Sequence, residues 1–288
     1  MRILVTGAAG FIGRNLVSRL SRNHEVFAVV RRQGRMPFDP DISVIAMDLA
    51  HELDLRALPA KLDAIIHAAH SYGLFPQAAN ESFSVSVSCT QQLLDYGVQS
   101  GVRQFVLAST GDVYGRRLDP CSETDLPKPE SFYCAMKYSA ELLVQAYSAH
   151  IAPTVLRIFH AYGPGQSEKL VAYLAKRILS HAPIQLHNGC RPYLTPTYID
   201  DVCFAFEKAL DTAYSGVLNV AGDAVINVRG LAQIIAHFLG GKALLEDTGE
   251  EVGNMVGINH RLKEAFDMNS LVELEDGLSR TFIHKKGN

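Results

Sequence analysis

Residues 1–13 read MRILVTGAAGFIG. The run RILVT at 2–6 is apolar and rich in β-branched residues, which predicts a buried strand, and residues 14–21 carry a helical pattern. Between them stand Gly7, Gly10 and Gly13. Strand, glycine turn and helix start in that order build a phosphate site. Gly7 lets the chain turn sharply, Gly10 lets the backbone approach a pyrophosphate, and Gly13 lets the helix pack closely on the strand. The first helical amides, at Phe11 and Ile12, then point at the phosphates with the positive end of the helix dipole behind them. The same GxxGxxG spacing also serves a tight turn with nothing bound, so the rest of the chain has to decide.

With 288 residues, 48% hydrophobic and 20% charged, the chain can bury a large core and fill one big domain or two unequal ones. A net charge of −3 without any run of Lys or Arg gives no footprint for nucleic acid or an anionic membrane. The five cysteines, Cys89, Cys121, Cys134, Cys190 and Cys203, have neither CxxC nor Cys/His ligand spacing. They read as thiols of a reducing compartment, no metal is expected, and no apolar window reaches the roughly 18 residues of a membrane span. A cytoplasmic protein is the expectation.

Short buried-type strands are predicted at 25–30, 42–47, 64–67, 104–108 and 154–158, with helices at 81–98 and 132–150 between them. That alternation predicts an α/β, doubly wound parallel sheet over residues 1–165. From about Gly163 the pattern changes. A helix at 169–180, a strand at 184–186, Pro-containing irregular sequence and helices at 228–239, 261–266 and 274–283 predict a smaller substrate-binding part over 166–288. Within it about 197–221 pack back on the sheet.

Tyr133-Cys134-Ala135-Met136-Lys137 opens one of these helices. A spacing of four puts Tyr133 and Lys137 on one helical face. A phenol, with its pKa of about 10, becomes a usable base at neutral pH only beside a cation, and Lys137 supplies one. The motif follows Ser109-Thr110-Gly111-Asp112-Val113-Tyr114-Gly115, which begins where the 104–108 strand ends, the edge at which a doubly wound sheet presents ligand-binding groups.

Taken together, GxxGxxG, Asp48-Leu49, His67-Ala68-Ala69, STGDVYG, YxxxK and LRIFHAYGPGQ at 156–166 resemble the extended short-chain dehydrogenase/reductases, and within them the nucleotide-sugar epimerases, dehydratases and 4-keto reductases. The resemblance implies that Tyr133 exchanges a proton with a sugar hydroxyl or ketone while hydride moves at the nicotinamide. It implies that Lys137 binds the nicotinamide ribose and lowers the phenol's pKa, and that Thr110 bonds the reacting oxygen. Asp48 would meet the adenine amino group with Leu49 beside it, and Ala68 and Ala69 would leave room for the dinucleotide. His70, Ser86, Gly111, Asp112, His160 and Arg191 fall on the substrate side. A homodimer through the 81–98 and 132–150 helices is the family default.

Several positions depart from the family pattern. Gly111 stands where 4,6-dehydratases carry the Asp that protonates a leaving hydroxyl, which points away from dehydration, while Asp112 follows where a Glu base is common. Ser86 and His160 each replace an Asn. The arginine that grips the nucleotide diphosphate falls at Leu194, with Arg191 the nearest substitute. At the end of the second strand, where NAD-preferring relatives have an acid, this chain has Arg31 and Arg32, with Arg35 beyond. Guanidiniums there suit a 2′-phosphate and favour NADP, with NAD as the alternative. The leading expectation is therefore an NADP-dependent reductase or dehydrogenase acting at C4 of a nucleotide-linked sugar. A 4-epimerase with retained NAD, and a non-catalytic dinucleotide-binding regulator, are the alternatives.

Overall fold

A computed structural model of the chain describes residues 1–32, 38–71 and 73–283. The elements begin β1 (Arg2–Thr6), α1 (Phe11–Leu20), β2 (Glu25–Val30), β3 (Ser43–Ala46), β4 (Ala64–His67), α2 (Ala79–Phe83), α3 (Cys89–Gln99), β5 (Gln104–Thr110) and α4 (Phe132–Ala146). They continue β6 (Ala152–Ile158), β7 (Ala161–Tyr162), α5 (Leu170–Leu179), β8 (Ile184–Leu186), β9 (Tyr193–Leu194), β10 (Thr197–Tyr198) and α6 (Ile199–Asp211). The last are β11 (Gly216–Val220), β12 (Ile226–Asn227), α7 (Val228–Leu239), β13 (Leu245–Asp247), α8 (His260–Phe266) and α9 (Leu274–Ile283). The chain divides into two compact units: residues 1–113, 127–157 and 203–218, and residues 114–126, 158–202 and 219–288.

The central sheet has seven strands in the order β11-β6-β5-β4-β1-β2-β3. Its pairings β2–β3, β1–β2, β1–β4 and β4–β5 are parallel. The strand order reverses between β1 and β4, so the carboxyl ends of these two strands flank the crevice in which a doubly wound sheet takes its ligand. β1, β2, β4 and β5 are buried almost throughout, which is why they read as continuous apolar runs rather than alternating ones. One face of this core gathers Leu4, Phe27, Val29, Ile65, Leu93, Leu94, Phe105, Leu107 and Val144. Residues 203–218 rejoin the first unit through Glu207, which accepts from Arg19 at 2.7 Å, and through the Ala209 carbonyl, which accepts from Gln104 at 2.6 Å.

Three of the differences from the expected spans have local causes. β5 continues two residues beyond Ala108, so Ser109 and Thr110 end the strand instead of starting the loop. The helix expected at 81–98 is broken by a π turn over Ser84–Ser88, where the SVSVS sequence supplies only poor helix formers. α4 stops at Ala146, and residues 147–150 turn back toward β6 through the Ile151 amide on the Tyr147 carbonyl.

In the second unit β9 pairs with β12 and β8 with β13, and Tyr162 meets Tyr198 edge to face at 5.6 Å. Asp201, at the start of α6, is 8% exposed and accepts the Val272 amide at 3.0 Å. Burial pushes its carboxyl up from 3.8 to about 6, the Val272 bond works against this, and the charges of Asp200 and Asp223 add to it. A carboxyl raised on folding contributes its full stability below the unfolded pKa and loses it as pH rises through about 6. Asp201→Asn keeps an acceptor for Val272 without the buried charge. Thermal melts are expected to show a gain of roughly 1–3 kcal/mol near pH 7.5 that vanishes near pH 4. A loss at the higher pH instead would mean that the carboxylate is a net stabiliser.

Candidate active site

The turn after β1 is built by its glycines. Gly7 has φ +67°, and a Cβ on it would lie 2.7 Å from the Ala69 backbone. A Cβ on Gly13 would lie 2.1 Å from the Gly7 carbonyl oxygen, so α1 sits directly on the turn. Gly10 is the N-cap of α1 and brings no side-chain hydrogen bond to it, leaving the Phe11 and Ile12 amides at the helix's positive end. A Cβ on Gly10 would meet only that same oxygen, at 3.1 Å. This is a cradle shaped for a pyrophosphate, and the residues fit a nicotinamide dinucleotide.

The strand ends around the cradle carry the other groups. His67 closes β4, is fully buried, and shares a 2.6 Å hydrogen bond through Nδ1 with the Thr6 hydroxyl at the end of β1. Burial, and after it the positive charge of Lys137, pull its pKa down to about 3. The ring is therefore neutral at working pH and adds no second cation beside Lys137. Among the described residues no group of three or more His, Cys, Asp or Glu side chains is placed to hold a metal.

α4 starts where Ser131 caps it, its hydroxyl accepting the Cys134 amide at 3.2 Å, and this sets Tyr133 in the first turn. Lys137, one turn on, is 3% exposed, and its Nζ donates to the Ala108 carbonyl at 3.0 Å and the Ala69 carbonyl at 3.3 Å. The ammonium is thus held between the ends of β4 and β5. The Tyr133 ring lies 5.3 Å from the His70 ring, whose Nδ1 donates to the Ser71 carbonyl at 2.6 Å. Thr110 donates its hydroxyl to Asp112 at 3.2 Å and accepts the Asp112 amide at 3.2 Å. Cys134, between Tyr133 and Lys137 in sequence, has its thiol pushed up by burial, which disfavours the thiolate.

The first unit so joins the glycine turn, Ala69, Lys137, Ala108, Tyr133 and His70 through a chain of contacts, with Thr110 at the end of β5 and Asp112 in the turn after it. Leu49 is buried in the sheet's core, while Asp48 is exposed and accepts the Ala50 amide at 3.1 Å. Ala68 is half-buried beside Ala69, Gly111 is buried, and Ser86 is buried in the π turn, its carbonyl accepting from Thr90 at 2.6 Å. His160 and Arg191 belong to the second unit. The His160 carbonyl accepts the Thr197 amide at 3.3 Å, and Arg191 closes a tight turn with the His187 backbone. Leu194 is 1% exposed in the β9–β12 pair, a core position without a polar role.

Arg31, expected to meet a 2′-phosphate, is engaged by acids. Its Nη2 donates to Glu81 at 2.7 Å, and its Nε lies 3.9 Å from the Asp48 carboxylate. Arg32 is exposed, and Arg35 lies outside the described residues. Sequence reading missed Glu81 because the pair spans fifty residues. It also missed the buried Glu141–Arg157 pair, whose partners lie sixteen residues apart on α4 and β6.

Comparison with known proteins gives the family. Residues 3–221 match the model of the NAD dependent epimerase/dehydratase family. The chain is 27% identical to an uncharacterized UDP-glucose epimerase of Bacillus subtilis, over 99% of this chain and 98% of that protein. It is 26% identical to a UDP-glucuronate 4-epimerase of Thermodesulfobacterium geofontis, over 99% and 96%. The crystal structure of a UDP-glucuronic acid 4-epimerase from Bacillus cereus, in complex with UDP-glucuronic acid and NAD, superposes with a TM-score of 0.88 at 27% identity, covering 99% of each chain. The chain belongs to the NAD dependent epimerase/dehydratase family, enzymes of the extended short-chain dehydrogenase/reductase type.

Proposed function

We propose that this chain is a nucleotide-sugar 4-epimerase that retains its nicotinamide dinucleotide, in place of the reductase that led the sequence reading. Its end-to-end likeness to UDP-glucuronate 4-epimerases carries the proposal. Tyr133, Lys137, Thr110 and Asp112 on the first unit supply the chemistry. The nicotinamide, when bound, supplies the acceptor and donor of the C4 hydride. Tyr133 as phenolate takes the C4 hydroxyl proton, the Lys137 ammonium favours that phenolate, and Thr110 donates a hydrogen bond to the same oxygen. The neutral 4-keto sugar then presents its other face, and Tyr133 returns the proton to O4. Gly111 offers no acid for expelling a hydroxyl, which argues against dehydration.

The test is to denature the purified protein, identify by mass any dinucleotide released, and incubate the native protein with UDP-glucuronate and with UDP-glucose. Stoichiometric dinucleotide and conversion to the 4-epimer without net oxidation or reduction are expected. An empty protein that consumes NADPH with a 4-keto sugar would overturn the epimerase.

Arg31 and Arg32, the two residues that follow β2, favour the second reading, an NADP-dependent C4 reductase. The Glu81 pair bears directly on it, because a 2′-phosphate has to displace that carboxylate from Arg31. Glu81→Gln is expected to tighten NADP about 3- to 10-fold while changing NAD little, and Arg31→Ala to remove that gain. Titration calorimetry with both dinucleotides reads this. If Glu81→Gln leaves the NADP affinity unchanged, Glu81 plays no part in cofactor choice.

Phe83, Val98 and Leu142 are exposed apolar residues on α2, α3 and α4, and they support a homodimer across these helices, which light scattering tests. No described helix is long and apolar enough to cross a membrane.

A further inference from the structure

Among the described residues of the first unit, one charged pair is sealed from water. Glu141 of α4 is 0% exposed and Arg157 of β6 is 3% exposed. Arg157 donates from Nη2 to one carboxylate oxygen at 2.7 Å, and from Nε to both at 3.1 and 3.2 Å. Ser109, the residue before Thr110 on β5, donates its hydroxyl to the same carboxylate. Burying two charges is costly, and apolar residues of similar size often hold a core as well or better. What a forked guanidinium–carboxylate pair offers instead is direction, because its bonds fix a relative orientation that apolar contacts leave free to slide.

The orientation fixed here is that of α4. Tyr133, Lys137 and Glu141 recur every fourth residue and so line one face of the helix. Lys137 grips the Ala108 carbonyl and Glu141 grips the Ser109 hydroxyl, so the helix is pinned to two consecutive residues of β5 immediately before Thr110. Arg157 fixes the same carboxylate to β6 from another direction. We infer that Glu141 is a positioning residue: with Ser109 and Arg157 it sets the rotation and height of α4 on β5, and thereby the placement of the Tyr133 phenol against Lys137 and Thr110. The inference rests on the reading of Tyr133 as the proton-transfer group. Small displacements of such groups are expensive, since a shift of about 1 Å costs on the order of 100-fold in rate.

Two variants test it. Glu141→Met combined with Arg157→Met removes both charges together, so neither is left buried alone and the net field at the phenol changes little. Ser109→Ala removes only the hydroxyl. Each is compared with the same protein carrying Tyr133→Phe, so that the difference in phenolate absorbance on titration isolates the Tyr133 step, with NAD present and no substrate. Circular dichroism and NAD affinity establish that each variant is folded and loaded.

The Tyr133 step is expected below the ordinary phenol range in the native protein. It should move up by about half a pH unit or more in the double variant, and less in Ser109→Ala. In turnover, kcat should fall about 10- to 100-fold with KM within about 3-fold. A folded variant with its Tyr133 step in the native place overturns the inference. Should the double variant fail to fold, an unmoved step in Ser109→Ala does the same. A native protein without a depressed Tyr133 step overturns the reading of Tyr133 itself, and the inference with it.

Discussion

Tyr133→Phe is expected to lower kcat for 4-epimerisation by about 10²- to 10⁴-fold, the range over which a positioned acid–base group contributes. The change removes one oxygen and leaves the ring, so its packing against His70 and the Ser131 cap of α4 should survive. The Lys137 ammonium stays held by the Ala69 and Ala108 carbonyls, which do not involve the phenol. Melting temperature and NAD affinity should therefore stay close to native while turnover collapses. Single-turnover measurements with UDP-glucuronate and quantitative release of bound dinucleotide separate the two effects. A variant that turns over at the native rate would place proton transfer elsewhere, with Asp112 and His70 as candidates in the same unit.

The sequence makes this site legible to the extent that its parts are local. The glycine turn, the apolar strands around it and the YxxxK spacing each lie within a dozen residues, and β1, β2, β4, β8, α7 and α9 span the residues their apolar patterns mark out. Periodicity is a weaker guide where backbone geometry departs from a regular helix. The π turn at Ser84–Ser88 leaves little mark in the sequence beyond its serines.

Long-range polar pairs are not legible at all. Nothing in the sequence ties Arg31 to Glu81 or Ser109 to Glu141, because a hydrogen bond across the fold has no period. Arg31 carries the consequence: its residue type suggests a phosphate ligand, whereas in the fold it already has a carboxylate. Leu194 is the converse, a departure from the family's arginine that the structure accounts for as core packing in the β9–β12 pair.

The three glycines of the first turn give the other large effect, and the structure separates their roles. Alanine at position 13 would place its Cβ 2.1 Å from the Gly7 oxygen and 2.8 Å from the Ala8 Cα, both backbone atoms that cannot step aside. The gain in helix propensity of about 1 kcal/mol for Gly to Ala is too small to offset such a clash. Gly13→Ala should therefore cost about 2–4 kcal/mol of stability and lose dinucleotide affinity as α1 lifts off the turn. Alanine at position 10 meets only the Gly7 oxygen, at 3.1 Å, a contact that a few tenths of an ångström relieves. If the space beside Gly10 belongs to a pyrophosphate, Gly10→Ala should melt within a few degrees of the native protein yet bind NAD at least about 100-fold more weakly. Calorimetric titration and thermal melts on the two variants decide the matter. A Gly10→Ala protein that binds NAD normally would mean that the phosphates do not approach the backbone there, and the dinucleotide site would have to be sought away from the turn.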